Sequence, residues 1–241
     1  MKTCVLTLAV SICVAAASPG AQEDAAALLQ RADGWRGGHD SFVSRVKLSN
    51  YDGDRLTEEA EFEVSVKGEN SLVRFLSVRS KGQSLLMRGD DMWFFLPAVA
   101  RPVRITPIQR LMGNVSNGDL ARLRLAADYD ATVEGRADVQ GEPAVVLELR
   151  AKRKAATYQR IRYFVRPSDS RPLRAEYFLT SGKPIKFATF TELRDMGGRP
   201  TLSRILIVDA TRPASKTILD LLTLVPRELP DKLFSPDRSG G

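Results

Sequence analysis

The chain holds 241 residues with 36 basic and 29 acidic side chains, a formal charge of +7, one histidine and two cysteines. Those counts exclude a zinc site built from several Cys and His ligands, and neither a Gly-rich phosphate loop nor a Gly-x-Ser-x-Gly nucleophile elbow is present. No catalytic residue, cofactor or metal is therefore expected.

Residues 1–20 read as a cleaved export signal: Lys2 supplies the charge, Cys4–Ala17 the apolar run, and small residues the exit, with cleavage placed between 17 and 21. Both cysteines, Cys4 and Cys13, fall inside it, so the mature chain has none to pair. Val10-Ser11-Ile12-Cys13 resembles a lipobox, but Ile12 is too large for the position before a lipidated cysteine, and no anchor at Cys13 is expected. No other run approaches the ~18 apolar residues that span a bilayer. Residues 21–241 then form one domain, large enough to bury a core without disulfides.

Asp24 caps a first helix with Ala25, Leu28, Leu29 and Ala32 at helical spacing, and Gly34, Gly37 and Gly38 end it. His39 follows as a solvated loop residue. Period two then takes over. Phe42, Ser44, Val46 and Leu48 share one face opposite Arg45 and Lys47; Phe62, Val64 and Val66 follow, then strands over 72–78, 84–88 and 92–96, closed at Pro97. Residues 98–117 form an irregular insertion, and a second helix is predicted over 117–127, with Arg122 and Arg124 facing water. Strands resume at Tyr129. Val145, Leu147 and Leu149 share one face, as do Ile161, Tyr163 and Val165. Leu173, Ala175 and Tyr177 oppose Arg174 and Glu176, and Ile185, Phe187 and Leu193 flank a polar face of Lys186 and Glu192. The last strands cover 202–208 and 218–225.

About eleven strands with one polar face each must bury the other, and so long an antiparallel sheet must curl, split or close. The fold class is mainly β with some α: a strongly curved antiparallel sheet with helices across its mouth. Such a shape encloses an apolar hollow. Trp93 and Phe95 point to one face and Phe94 and Leu96 to the other, so this strand is apolar on both sides. The basic cluster Arg150–Lys154 reads either as a solvated hairpin end or as a contact for anionic lipid head groups. Nucleic acid is not expected of an exported protein.

The stretch Leu85–Pro97, LLMRGDDMWFFLP, resembles the R-x-G-x-x-x-W-x-Y-x-P core of the LolA-like outer-membrane lipoprotein-sorting proteins, with Phe94-Phe95 where a tyrosine is more usual. The resemblance continues through Arg101–Ile105, a loose Met112-Gly113-Asn114-Val115 loop and Gly118-Asp119-Leu120. It runs on through Tyr129, the Gly141 hairpin, Arg162–Val165, Pro172-Leu173-Arg174 and Lys232-Leu233-Phe234, nearly the whole mature chain. It implies an incomplete barrel with a helical lid, resident in the periplasm of a Gram-negative bacterium. It implies a carrier of lipoprotein acyl chains or lipid toward the outer membrane. Relatives of that fold that act as sensors, or beside inner-membrane lipid exporters, leave a second reading open. On this reading Phe75, Met87, Trp93, Phe95, Phe164, Tyr177 and Phe187 line the cavity, and Leu120 and Leu123 form the inner side of the lid. Arg101, Arg104, Arg110, Arg150, Lys152 and Arg153 are the docking candidates for an exporter or an outer-membrane acceptor. A monomer is expected.

Overall fold

Asp24 caps the N-terminal helix as expected, accepting from the amides of Ala26 and Ala27 at 3.0 and 3.3 Å. The computed structural model describes residues 24–122 and 124–237; the export signal with Cys4 and Cys13 lies outside them, as does Leu123. Helix α1 (Ala25–Asp33) buries Leu28, Leu29 and Ala32. A 3₁₀ turn, Gly34–Arg36, and two glycines with positive φ, Gly37 and Gly38, lead into the sheet.

Six strands meander outward: β1 (Ser41–Asp52), β2 (Arg55–Lys67), β3 (Asn70–Phe75), β4 (Ser84–Arg88), β5 (Asp91–Phe95) and β6 (Val103–Ile105). The chain then crosses through a small hairpin, β7 (Arg110–Met112) and β8 (Val115–Ser116), and two short helices, α2 (Asn117–Ala121) and α3 (Leu125–Asp128). From the opposite edge it meanders back through β9 (Tyr129–Val139), β10 (Glu142–Ala151), β11 (Arg160–Val165), β12 (Pro172–Phe178), β13 (Pro184–Met196), β14 (Arg199–Asp209) and β15 (Ser215–Pro226). β15 pairs with β1, with Phe42 opposite Pro226 and Asp52 opposite Ser215. One 13-stranded antiparallel sheet results, with β6 and β9 as its two edges.

This corrects the expectation of about eleven strands. The missed strand β6 is three residues long and follows Pro102, too short to show an alternation. The sheet is open, since β6 and β9 do not pair among the described residues. It is nonetheless curled. Arg153, in the β10–β11 loop near one edge, reaches Asp90 at 3.0 Å and Glu69 at 3.6 Å in the turns near the other. Inward residues of both halves share one apolar core with the helices.

The second helix is broken where the pattern predicted continuity. Arg122 leaves helical geometry (φ −112°, ψ 89°). Its guanidinium turns inward, donating to both Asp128 oxygens at 2.9 and 3.0 Å and to the Gly89 carbonyl at 2.8 Å. Arg122 is therefore buried rather than solvated, whereas Arg124 is exposed. A buried charge must be paired, and the sequence pattern does not contain the distant Gly89 carbonyl that rewards breaking the helix.

The outer face carries two small apolar clusters. Leu72 and Leu86, with Trp93 and Phe95 against them, are covered by Leu229, Leu233 and Phe234 of the C-terminal tail. Ala144, Val146, Phe164 and Leu173 form the other. No helix among the described residues is long and apolar enough to cross a membrane.

Candidate functional site

The hollow of the sheet is occupied by the crossover. The β7–β8 turn is pinned to its floor: the Asn114 amide donates to Thr217 Oγ1 at 2.9 Å and its carboxamide to the Ser215 carbonyl at 2.9 Å. Gly113, at φ 54°, lets this happen, because any Cβ there would strike the Asn50 carboxamide. Helix α2 then lies across the interior. A capping box joins Ser116 and Asp119, and Leu120 is 3% exposed.

What holds α2 is largely polar. Lys186, 4% exposed on β13, donates to the Asn114 carbonyl at 2.9 Å and pairs with Asp119. The Tyr158 hydroxyl donates toward Asp119 at 3.0 Å and lies 3.1 Å from Ser116 Oγ. The Lys186 ammonium sits over the rings of Tyr158 and Tyr177 at 5.0 and 5.2 Å. Burial pushes its pKa below the ordinary lysine value, against the pull of Asp119. At its other side α2 meets β11's approach: a Cβ on Gly118 would lie 2.9 Å from Thr157 Cβ, so a glycine is needed for this contact.

Cavities open on both ends of α2. One cleft of about 680 Å³ lies between the end of α1, Ala121, Arg122 and Met87. A second of about 640 Å³ lies beneath the β7–β8 hairpin against Phe62, Phe75 and Phe94, with Asn117 on its wall. These three rings stack edge to face, 5.0 and 5.7 Å apart. Between the clefts only a pocket of about 50 Å³ remains, lined by Val46, Val64, Leu120, Leu202, Leu219 and Leu224. The two clefts are of ligand size, and the central pocket falls below the ~300–1,000 Å³ of ordinary ligand sites. With α2 in place the interior is divided; α2 is the divider.

Comparisons with known proteins agree with this architecture. A family model described as "Uncharacterized protein" matches residues 67–238. A LolA superfamily protein from Nitrosomonas europaea is 33% identical, covering 88% of this chain and 97% of that one, with a TM-score of 0.83. The chain belongs to the LolA superfamily. A DUF1329 family protein from Desulfovibrio piger is 25% identical over 87% of this chain and 95% of that one, with a TM-score of 0.73. A putative outer-membrane lipoprotein-sorting protein domain from Vibrio parahaemolyticus, 17% identical over 88% and 96%, shares the LolA fold at a TM-score of 0.73. No curated protein matches the chain.

Within this LolA fold the cavity residues read from the sequence divide between the two faces. Met87 and Tyr177 are buried in the concave core, and Phe75 packs against it. Trp93 and Phe95 lie on the outer face under the C-terminal tail, and Phe164 sits in the second outer cluster. Phe187 is also outward, under the Arg174 guanidinium at 5.0 Å. The expected polar face of β13 is thus inverted: Lys186 points in and Phe187 out. Bulges at Tyr177/Phe178 and Phe190/Glu192 shift the pairing and with it the phase of the alternation. Leu120 faces the interior, and Leu123 lies outside the described residues. Of the docking candidates, Arg104 pairs with Asp91, Arg150 with Glu148, and Lys152 reaches the Ala126 carbonyl and Asp130. Arg153 is a structural tie, bonded to Asp128, Asp90 and Glu69. Arg101 and Arg110 are exposed.

The sequence reading missed Arg36. It ends the 3₁₀ turn after α1 and is the one described residue that lines the larger cleft, the small apolar pocket and a third void beside Tyr177. No spacing rule singles out an arginine in a Trp-Arg-Gly-Gly loop.

Truncating Leu120 tests whether α2 is packed as described. Leu120→Ala is expected to cost about 2–5 kcal/mol, the range for a buried leucine, read as a lower urea midpoint at an unchanged slope.

Proposed function

We propose that residues 21–241, after loss of the export signal at residues 1–20, form one periplasmic carrier domain that takes acyl chains of lipids or lipoproteins into the concave interior for transfer toward the outer membrane. The observation that carries this reading is the division of an apolar hollow by α2. Two ligand-sized clefts end on one five-residue helix whose hold is mainly polar. Moving α2 aside joins the clefts along Val46, Val64 and Leu219, and an acyl chain then takes the place of Leu120 against the same apolar wall. Each buried CH₂ of such a chain contributes about 0.8 kcal/mol, so no nucleotide is needed to load it. Membership in the LolA superfamily supports the reading.

A second reading, an accessory protein that docks beside an inner-membrane lipid exporter or regulator, draws on one feature. The crossover rim exposes Val99, Val103 and Ile108 beside Arg101 and Arg110. Apolar residues set among cations suit a partner or an anionic membrane surface. The same rim serves a carrier at the points of loading and release.

Native mass spectrometry of protein purified from its own periplasm without detergent separates the two. A bound lipid or lipopeptide mass is expected. A clean apo mass, with no uptake of added lipid, would contradict carriage and favour the accessory reading.

A further inference from the structure

Three hydrogen-bond donors near α2 have no acceptor among the described residues: a half-buried guanidinium at the cleft and two tyrosine hydroxyls behind it. The Arg36 guanidinium makes neither a hydrogen bond nor an ion pair with any described residue. The Tyr163 hydroxyl, on a side chain 0% exposed, is buried without a partner. The Tyr177 hydroxyl has no described partner either, and its residue lines the same void as Arg36. The guanidinium feels Tyr163, Tyr177, Asp33 and Asp119 electrostatically. Both carboxylates are already engaged. Asp33 accepts from the amides of Leu125 and Ala126 at 3.0 and 2.8 Å. Asp119 accepts from Lys186, Tyr158 and the Ser116 amide. Arg36 is half-buried on the cleft wall, a cation with no protein acceptor that an anion from outside can reach.

Its place is as informative as its chemistry. Arg36 stands where the open cleft meets the apolar pocket of Val46, Leu120 and Leu219. A molecule whose tail fills that pocket once α2 has moved aside has its head at Arg36. We infer that Arg36, with the Tyr177 hydroxyl that lines the same void, forms an oxyanion site that holds the carboxylate or phosphate headgroup of an acyl lipid. The inference rests on the carrier reading and narrows it. An acyl chain joined to a protein as an ester or amide brings no such charge, so the site selects lipids with a free anionic head.

The test compares dodecanoate with 1-dodecanol, which share a chain and differ in charge, by calorimetric titration of the mature protein. Inorganic phosphate alone is titrated in parallel, read by the Arg36 Nε–H signal in NMR. The wild type is expected to bind dodecanoate about tenfold or more tighter than dodecanol, the worth of a charge-assisted hydrogen bond. Arg36→Met should abolish the difference, bringing dodecanoate down to the affinity shown for dodecanol. Tyr177→Phe should reduce it, and carries the test if Arg36→Met does not fold. Equal affinity for both compounds in the wild type would overturn the oxyanion site and leave the carrier reading intact. A shift of the Arg36 signal by phosphate, without binding of either amphiphile, would overturn the lipid headgroup in favour of a free anion. No response to any of the three would overturn both readings.

Discussion

Replacing Lys186 with methionine is expected to lower the unfolding free energy by about 3–5 kcal/mol, the cost of leaving a buried carboxylate without its cation. In a domain of this size that corresponds to a fall in Tm of about 6–20 °C. The effect should sit near the lower end, because Asp119 keeps its bonds from Tyr158 and the Ser116 amide. Adding Asp119→Asn removes the stranded charge while an oxygen remains to complete the capping box. The double variant should therefore recover much of the loss. The coupling between the two sites in a double-mutant cycle, measured by urea unfolding, reports the pair. A single-variant cost below about 1 kcal/mol, the level of a surface pair, would mean that Lys186 is solvated and α2 is not seated as described.

Alkaline pH should act on the same core. Burial raises the phenols of Tyr129, Tyr158, Tyr163 and Tyr177 above their ordinary 10.0. In the unfolded chain they ionise near pH 10; in the folded chain they stay protonated. The stability they support is complete below pH 10 and is lost as the pH climbs toward the folded values. Between pH 10 and 11 each contributes a loss of about 1 kcal/mol, roughly 4 in all. Lys186 works in the opposite sense, since its folded pKa lies below 10.5 and stability rises until the unfolded lysine also deprotonates. One lysine offsets only part of four tyrosines. Urea unfolding at pH 8, 10 and 11 should show the decline. Tyr163→Phe should flatten it by about a quarter, and should be neutral or stabilising at pH 7, because its hydroxyl has no bond to lose. A stability that stays flat to pH 11 would contradict the burial of these hydroxyls.

Much of the sheet is legible in the sequence because alternation is local. Phe42, Val46 and Leu48 on β1, and Ile161, Tyr163 and Val165 on β11, face the core as their spacing requires. The N-terminal helix announces itself through Asp24. Legibility fails wherever the deciding partner is distant. Arg122 breaks its helix for the Gly89 carbonyl and Asp128. Lys186 turns inward because Asp119 waits across the hollow, and bulges on β12 and β13 allow it. A single bulge flips every side chain beyond it, so a face assigned by counting is lost at that point. Trp93 and Phe95 failed differently. Their strand is apolar on both sides, and only the C-terminal tail, more than 130 residues later in the chain, shows which side is outside. Arg36 left no local trace at all, because its meaning lies in what the fold does not place beside it.

The central claim is that ligand enters the concave face and not the outer one. A fatty acid bearing a terminal diazirine, photolysed with the mature protein and mapped by peptide mass spectrometry, tests this directly. The account predicts adducts on Val46, Leu120, Leu202 or Leu219, together with Phe62, Phe75 or Phe94 in the adjoining cleft. Adducts confined to Trp93, Phe95 and the tail residues Leu229 and Phe234 would place the ligand on the outer face and contradict it.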